Sequence, residues 1–171
     1  LWTQEEASFS GQFWNFKGLS MTPRPVQKPH PPLWFGGRHP TGLQRAARLA
    51  DGWMGAGSTT SDQFVEHVQI LKQVLNDKGR DAEAFPISKR VYVAIDDDAD
   101  RAERRLREWF GTWYGNADMG SRVSVWGSVQ QVVDGLMKIV EGEAGMLMLN
   151  PVFDYMEQLN QLADEVIPRL G

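Results

Sequence analysis

Two glycine-bearing turns hold the residues best suited to chemistry. Gly36-Gly37-Arg38-His39-Pro40-Thr41 follows the apolar run Leu33-Trp34-Phe35, and Gly55-Ala56-Gly57-Ser58 follows Trp53-Met54. Each turn joins the end of a short strand to the start of a helix. Glycine lets the backbone approach an anion closely, and the unpaired N–H groups and dipole of a helix N-terminus favour negative charge there. Arg38 adds a guanidinium able to make a charge-assisted hydrogen bond. Thr41 lies in the first helical turn, where hydroxyl and N–H can both donate. The chemistry implied is phosphate binding. A purely structural reading also fits: a strand-to-helix turn at Gly36-Gly37, a solvated Arg38, an N-cap at His39, and a tight turn plus cap at Gly55–Ser58. The second turn lacks the GK[ST] ending of a nucleotide P-loop.

Other candidates reduce to structure. Asp96-Asp97-Asp98 superficially resembles a metal cluster, but adjacent aspartates diverge, and negative charge beside a helix N-terminus explains them. Arg101, Arg104, Arg105 and Arg107 read as a solvated helix face. Trp109, Phe110 and Trp113 have helical spacing and read as core. Asn150 ends a strand, where it either faces a ligand or simply terminates the element. His30 and His67 have no partnered motif, and no Ser/His/Asp set is readable. Cys is absent, which removes disulfides, thiolate nucleophiles and zinc–cysteine sites together.

The elements that must position these turns follow from hydrophobic spacing. Leu33-Trp34-Phe35 is an apolar run without alternation, the pattern of a strand buried on both faces. Pro40 suits the first helical position, and Leu43, Ala46, Ala47 and Ala50 form the inner face of that helix. Asp51-Gly52 breaks it before the strand at Trp53-Met54. Ser58-Thr59-Thr60-Ser61 supplies N-caps for a helix that buries Phe64, Val68, Leu71 and Leu75 and ends near Gly79. Arg90–Ile95 is a strong strand. The helix after it stacks Ala99, Ala102, Leu106, Trp109, Phe110 and Trp113. Residues 114–127 read as a glycine-punctuated loop. Ser128 with Gln131 makes a capping box for a helix burying Val129, Val132, Val133, Leu136 and Val140. Met146–Leu149 is the last strand, stopped by Asn150-Pro151, before a helix burying Leu159, Leu162, Ala163, Val166 and Leu170. Ahead of all this, Phe9, Phe13 and Phe16 around Ser10-Gly11-Gln12 predict a hairpin or an extended excursion. Pro23, Pro25, Pro29, Pro31 and Pro32 force an extended approach to the first strand.

Strand followed by helix, four times over, means an α/β fold with parallel pairing and right-handed crossovers. Four parallel strands make either a small open sheet of flavodoxin type or half of an eight-stranded barrel. A whole (β/α)8 barrel typically needs about 250 residues, and the chain has 171. The charge of −4 argues against nucleic acid as a partner. No apolar run approaches bilayer length, and the expected compartment is the cytoplasm.

Several segments together resemble the bacterial luciferase-like flavin-dependent oxidoreductases, a family of FMN monooxygenases and F420-dependent oxidoreductases. They are PRPVQKPHPPLWFGG (23–37), AARLADGW (46–53), FSGQFWNF (9–16), EGEAGMLMLNP (141–151) and QLADEVIPRL (161–170). The resemblance implies an α/β fold forming the C-terminal half of a (β/α)8 TIM barrel, about four β–α units. It makes 1–171 a single domain, with 1–30 an extended insertion arm and 31–171 the β–α units. It implies FMN or F420 as cofactor, with Gly36, Gly37, Arg38, Thr41, Gly55 and Gly57 as cofactor-binding residues. Its partners would be the flavin and a small organic substrate, with a homo-oligomer or pairing with an N-terminal half. The expected activity is oxidoreductase or monooxygenase chemistry in which this chain supplies the flavin-phosphate corner. The alternative is a catalytically incomplete half-barrel that self-associates or complements a partner half. On this resemblance the start at Leu1-Trp2 reads as that of a fragment or truncated product, and Leu170-Gly171 as a natural end.

Overall fold

A computed structural model describes all residues, 1–171. The chain divides into two compact units, Leu1–Leu33 and Trp34–Gly171.

The first unit is built on an antiparallel hairpin of β1 (Ala7–Ser10) and β2 (Asn15–Leu19). Phe9 pairs with Phe16 and Ser10 with Asn15, with an irregularity between Ala7 and Phe9. The turn closes through the Gly11 N–H donating to the Trp14 carbonyl at 2.9 Å. Of the two sequence readings for this stretch, the hairpin is the one formed.

The second unit alternates strand and helix. Its elements are β3 (Trp34–Gly36), α1 (Pro40–Leu49), β4 (Gly52–Gly55), α2 (Ser61–Asp77), β5 (Ile87–Ile95), α3 (Ala99–Tyr114), α4 (Met119–Val123), β6 (Val125–Gly127), α5 (Val129–Glu141), β7 (Met146–Pro151) and α6 (Tyr155–Gln161). α6 widens into a π-type turn at Leu162–Val166 and tightens at Ile167–Arg169. All strand pairs are parallel. β5 organises the sheet: its start pairs with β4, its end with β6, and Ser88–Val93 with β7. Residues 114–127 are therefore not simply a loop. They contain α4 and a three-residue strand, too short to show periodicity, that takes up the end of β5.

Register fixes which side chains share a face. Phe35, Trp53 and Ile87 are partners across β3, β4 and β5, and they join the core with Leu43, Ala46 and Ala47 of α1, Phe64, Val68, Leu71 and Leu75 of α2, and Val132, Leu136 and Ile139 of α5. Full burial of each large apolar side chain contributes about 1.5–3 kcal/mol. The helix faces predicted for α1 and α2 are the buried ones. Thr60 with Gln63 and Ser128 with Gln131 form reciprocal capping boxes. On the opposite face of β5, Tyr92 and Ala94 pack against Leu106 and Phe110 of α3, with Val123, Val152 and Phe153.

The edges depart from expectation. β3 is half-exposed rather than buried on both faces, because it has β4 as its one pairing partner. In β7, Met146 and Met148 are 52% and 44% exposed while Leu147 and Leu149 pack inward, so one face of this strand is covered. Trp113 is 71% exposed and lies outside the core that Phe110 enters. Leu159 is also exposed, whereas Leu162 and Val166 are buried. The arginines of α3 are not simply solvated: Arg101 pairs with Asp96, Arg105 with Asp154, and Arg107 with Asp118.

Candidate functional site

The turns after β3 and β4 lie side by side because Trp34–Gly36 and Gly52–Met54 are in parallel register. Trp53 locks them together. Its ring is fully buried and stacked on Phe64 with centroids 5.8 Å apart, and its Nε1–H donates to the Gly37 carbonyl at 3.0 Å. Gly37 has a φ of +129°, which side chains with a Cβ rarely adopt. Gly55 is held by packing instead: a Cβ there would meet Phe64 Cδ2 at 2.6 Å.

Between these turns is a cavity of about 390 Å³, walled by Trp34, Phe35, Gly36, Gly37, Met54 and Gly55–Ser58, with Arg90 and Tyr114 beyond. Gly36, Gly37, Gly55 and Gly57 are thus brought onto one wall. Arg38 is not on that wall; it is exposed and reaches across to Ser58, Nη1 to Oγ at 3.3 Å. Thr41 faces His39: the ring Nδ1 accepts from the Thr41 N–H at 3.3 Å and lies 2.9 Å from its hydroxyl. His39 is the N-cap of α1, Pro40 has no N–H, and Gly42 N–H donates to the His39 carbonyl. The start of α1 is therefore largely satisfied from within. The backbone N–H groups of Gly37, Arg38, Gly57 and Ser58, by contrast, make no hydrogen bond within the chain.

Arg90 and Tyr114 belong to no motif that marks them as site residues in the sequence. Arg90 is a half-buried arginine on β5, partner to Met148 across the sheet. Its Nε donates to Asn150 Oδ1 at 2.8 Å, and its guanidinium lies 4.9 Å from the centre of the Tyr92 ring. It has no carboxylate partner, so the outer donors of its fork remain available. A cation inside an otherwise apolar strand was the signal. Asn150, read from sequence as a rim residue or a terminator, orients Arg90. Tyr92 and Tyr114 are hydrogen-bonded through their hydroxyls. Burial, reinforced by that bond, pushes the Tyr92 phenol up to about 12.

A second cavity, of about 280 Å³, lies where Ile95 meets α3 and α6 and is lined by Asp96, Arg101, Arg105, Asp154 and Gln158. Arg101 donates to both Asp96 oxygens at 2.8 and 2.5 Å, and Arg105 to both Asp154 oxygens at 2.5 and 2.8 Å. The Arg101 hydrogen bonds hold the Asp96 carboxyl below its usual range, and Arg105 does the same for Asp154. Buried Gln158 extends the edge of β5, accepting from Ile95 N–H and donating to Ile95 C=O, both at 2.7 Å.

Comparison with known proteins identifies the family. Residues 1–144 match the family model described as luciferase-like monooxygenase. Over 108 residues the chain is 28% identical to an FMNH2-dependent dimethylsulfone monooxygenase of Pseudomonas putida, covering 63% of this chain and 29% of that protein. Over 110 residues it is 26% identical to an F420-dependent glucose-6-phosphate dehydrogenase of Microbacterium testaceum, covering 64% and 32%. The chain thus spans about a third of the length of these curated relatives. Among solved structures, an F420-dependent secondary alcohol dehydrogenase bound to an F420–acetone adduct superposes with a TM-score of 0.84 at 16% identity, over 100% of this chain and 58% of that one. The monooxygenase RslO1 from Streptomyces bottropensis gives 0.70 at 18% identity, over 99% and 57%. These superpositions identify the fold as part of a TIM barrel. With the model match over most of its length, the chain belongs to the luciferase-like monooxygenase family.

Proposed function

We propose that this chain forms the flavin-phosphate corner of a flavin-dependent oxidoreductase or monooxygenase that uses FMN or F420. The observation that carries this reading is the cavity between the two glycine turns, with unpaired N–H groups at Gly37, Arg38, Gly57 and Ser58 and a guanidinium at Arg90 that no carboxylate neutralises. The residues fit the group. A Cβ at Gly36 would meet nothing nearer than the Met54 carbonyl oxygen at 3.8 Å, so a side chain there would occupy space that glycine leaves open, and a phosphate needs several donors at close range. Gly36, Gly37, Gly55 and Gly57 would admit the phosphate end, Arg38 and Ser58 would close over it, and Arg90 with Tyr114 would face the rest of the ligand. Thr41 contributes by holding the His39 cap. When bound, a flavin-type cofactor supplies the hydride or oxygen chemistry, and the protein's part is to bind and orient it and an organic substrate.

Titration of the purified chain with FMN and with F420, followed by fluorescence and absorbance, tests this. Saturable binding of either, weakened by Gly36→Val, is expected. Absence of binding of both up to millimolar concentration overturns the reading.

A second reading has its own observation. Met146 and Met148 are exposed on β7, and β3 and β7 each have a single pairing partner. Unpaired parallel edges invite pairing, so the chain would self-associate or complement an N-terminal half. Light scattering across a concentration series would show association. A monomer at every concentration that also fails to bind a separately produced N-terminal half removes this reading.

A further inference from the structure

Lys89 carries an ammonium group that no carboxylate balances. Its side chain is 1% exposed, on the helix-facing side of β5, with Nζ 5.4 Å from the centre of the Phe64 ring. Its donors go to the Thr59 carbonyl at 3.0 Å, the Thr59 hydroxyl at 3.2 Å and the Ala56 carbonyl at 3.3 Å. The ionisable group coupled to it is His67 on α2, on which Glu66 and Arg38 also act, and Arg90 follows it on its own strand. β4 and β7 bring none. An unpaired buried charge is costly, and burial pushes this ammonium down to about 8.

The bonds made by Lys89 also dictate where the turn's donors point. In a planar trans peptide the carbonyl and the following N–H point in opposite directions. The Ala56 carbonyl is turned toward Lys89, so the Gly57 N–H is turned away from it, and Gly57 is part of the cavity wall. The Ala56 oxygen accepts not only from Lys89 but also from the Thr59 hydroxyl at 2.7 Å and the Thr59 N–H at 3.3 Å. Three donors on one carbonyl polarise the peptide and strengthen its N–H as a donor. Gly57 cannot be replaced without movement, since a Cβ there would meet Tyr92 Cε2 at 2.8 Å.

We infer that Lys89 is the positioning cation of an anion seat: it fixes the 56–59 turn with the Gly57 N–H toward the cavity, and the phosphate of the bound ligand supplies its missing counter-charge. The inference rests on reading that cavity as the phosphate end of a flavin-type cofactor site. Its direct consequence is linkage. A phosphate in the seat favours the charged form of Lys89, so above pH 8 binding takes up a proton.

Two measurements test this. In the chain labelled with 13C at lysine Cε, the Lys89 titration is followed by NMR in inorganic phosphate and in chloride of equal ionic strength. Phosphate is expected to move the titration up by roughly half a unit or more, as a nearby anion does, and chloride is not. Equal titrations in both salts overturn the inference. In parallel, FMN and riboflavin affinities are compared in wild type, Lys89→Arg and Lys89→Met. Wild type is expected to prefer FMN. Lys89→Met should lose about tenfold of that preference with riboflavin affinity unchanged, the size of one charge-assisted interaction, and Lys89→Arg should keep most of it. A Lys89→Met chain that keeps the full preference sinks the inference while leaving the cofactor reading intact. Phosphate that moves Lys89 in a chain binding neither flavin sinks the cofactor reading and leaves the anion seat standing.

Discussion

In the cavity beside Ile95, Arg101 and Arg105 each have a carboxylate; in the cavity between the glycine turns, Arg90 and the lysine behind its wall have none. Both lie at the ends of parallel strands and both contain cations, yet they do different work. In the first, Asp96–Arg101 ties the end of β5 to α3, and Arg105–Asp154 ties α3 to the start of α6. Charge is satisfied by the fold and serves the fold. In the second, the cations have no carboxylate partner and the turn N–H groups no partner within the chain, an arrangement that the proposed cofactor phosphate would complete. Unpaired charge beside an apolar wall of Trp34, Phe35 and Met54 is a stronger pointer to a ligand than a larger number of charges that neutralise one another.

The largest effect is expected from Gln158→Leu. Gln158 is 3% exposed and satisfies both the N–H and the C=O of Ile95. Leucine would leave two buried backbone groups without partners, at about 1–3 kcal/mol for each. Urea denaturation should show a loss of about 2–6 kcal/mol. FMN affinity of the folded fraction should stay within twofold, because Gln158 belongs to the paired region. A stability change within error would mean that water replaces the amide and that this cavity is not sealed as its bonds imply.

Next come matched arginine variants. Arg90→Met removes a guanidinium that lines the cavity and has no carboxylate partner, and a hydrogen bond to a charged group is worth about 1.5–3 kcal/mol. FMN should bind at least tenfold more weakly, with little change in denaturation midpoint. Arg101→Met should do the reverse, leaving FMN affinity unchanged and lowering the midpoint slightly. If both variants weaken binding equally, the contrast between the two cavities is lost.

The helical part of this fold was legible because its signals are periodic. Leu43, Ala46 and Ala47, and Phe64, Val68, Leu71 and Leu75, recur at helical spacing, and Thr60 and Ser128 announce their helices by cap chemistry. The glycine turns were legible for the same local reason. What failed was what depends on neighbours in space. An apolar run such as Leu33-Trp34-Phe35 reads as central whether or not a second strand pairs with it, so the edge position of β3 was invisible. β6 has three residues, below any period, and exists because β5 extends past its pairing with β4. The α3 arginines looked solvated because Asp154 lies 49 residues from Arg105. The strand expected at Arg90–Ile95 begins at Ile87 as β5 and takes in Lys89 as well, and only register separates the two cations, one toward the cavity and one toward the helices.

Acid titration offers the finest separation of the two regions. The carboxyls of Asp96 and Asp154 are held below their usual range by Arg101 and Arg105. In the unfolded chain they regain ordinary carboxylate values, so near and below those values the unfolded state binds more protons than the folded state. Their stabilisation is therefore complete above the unfolded value and fades as pH falls through the folded one. The cations of the other cavity have no carboxylate to protonate and contribute nothing in this window. Denaturation midpoints measured from pH 6 down to about pH 3 should decline in wild type and in Arg90→Met alike. They should decline less steeply in Arg101→Met, where Asp96 keeps the Asp98 N–H but loses the guanidinium and so gains less from folding as an anion. The difference in slope will be small, because Arg101 is 54% exposed and Asp96 keeps its backbone donor, and pairs with one partner in water are weak. If instead Arg90→Met flattens the acid slope, Arg90 has a carboxylate partner in solution, and its free fork can no longer be taken as the mark of the ligand site.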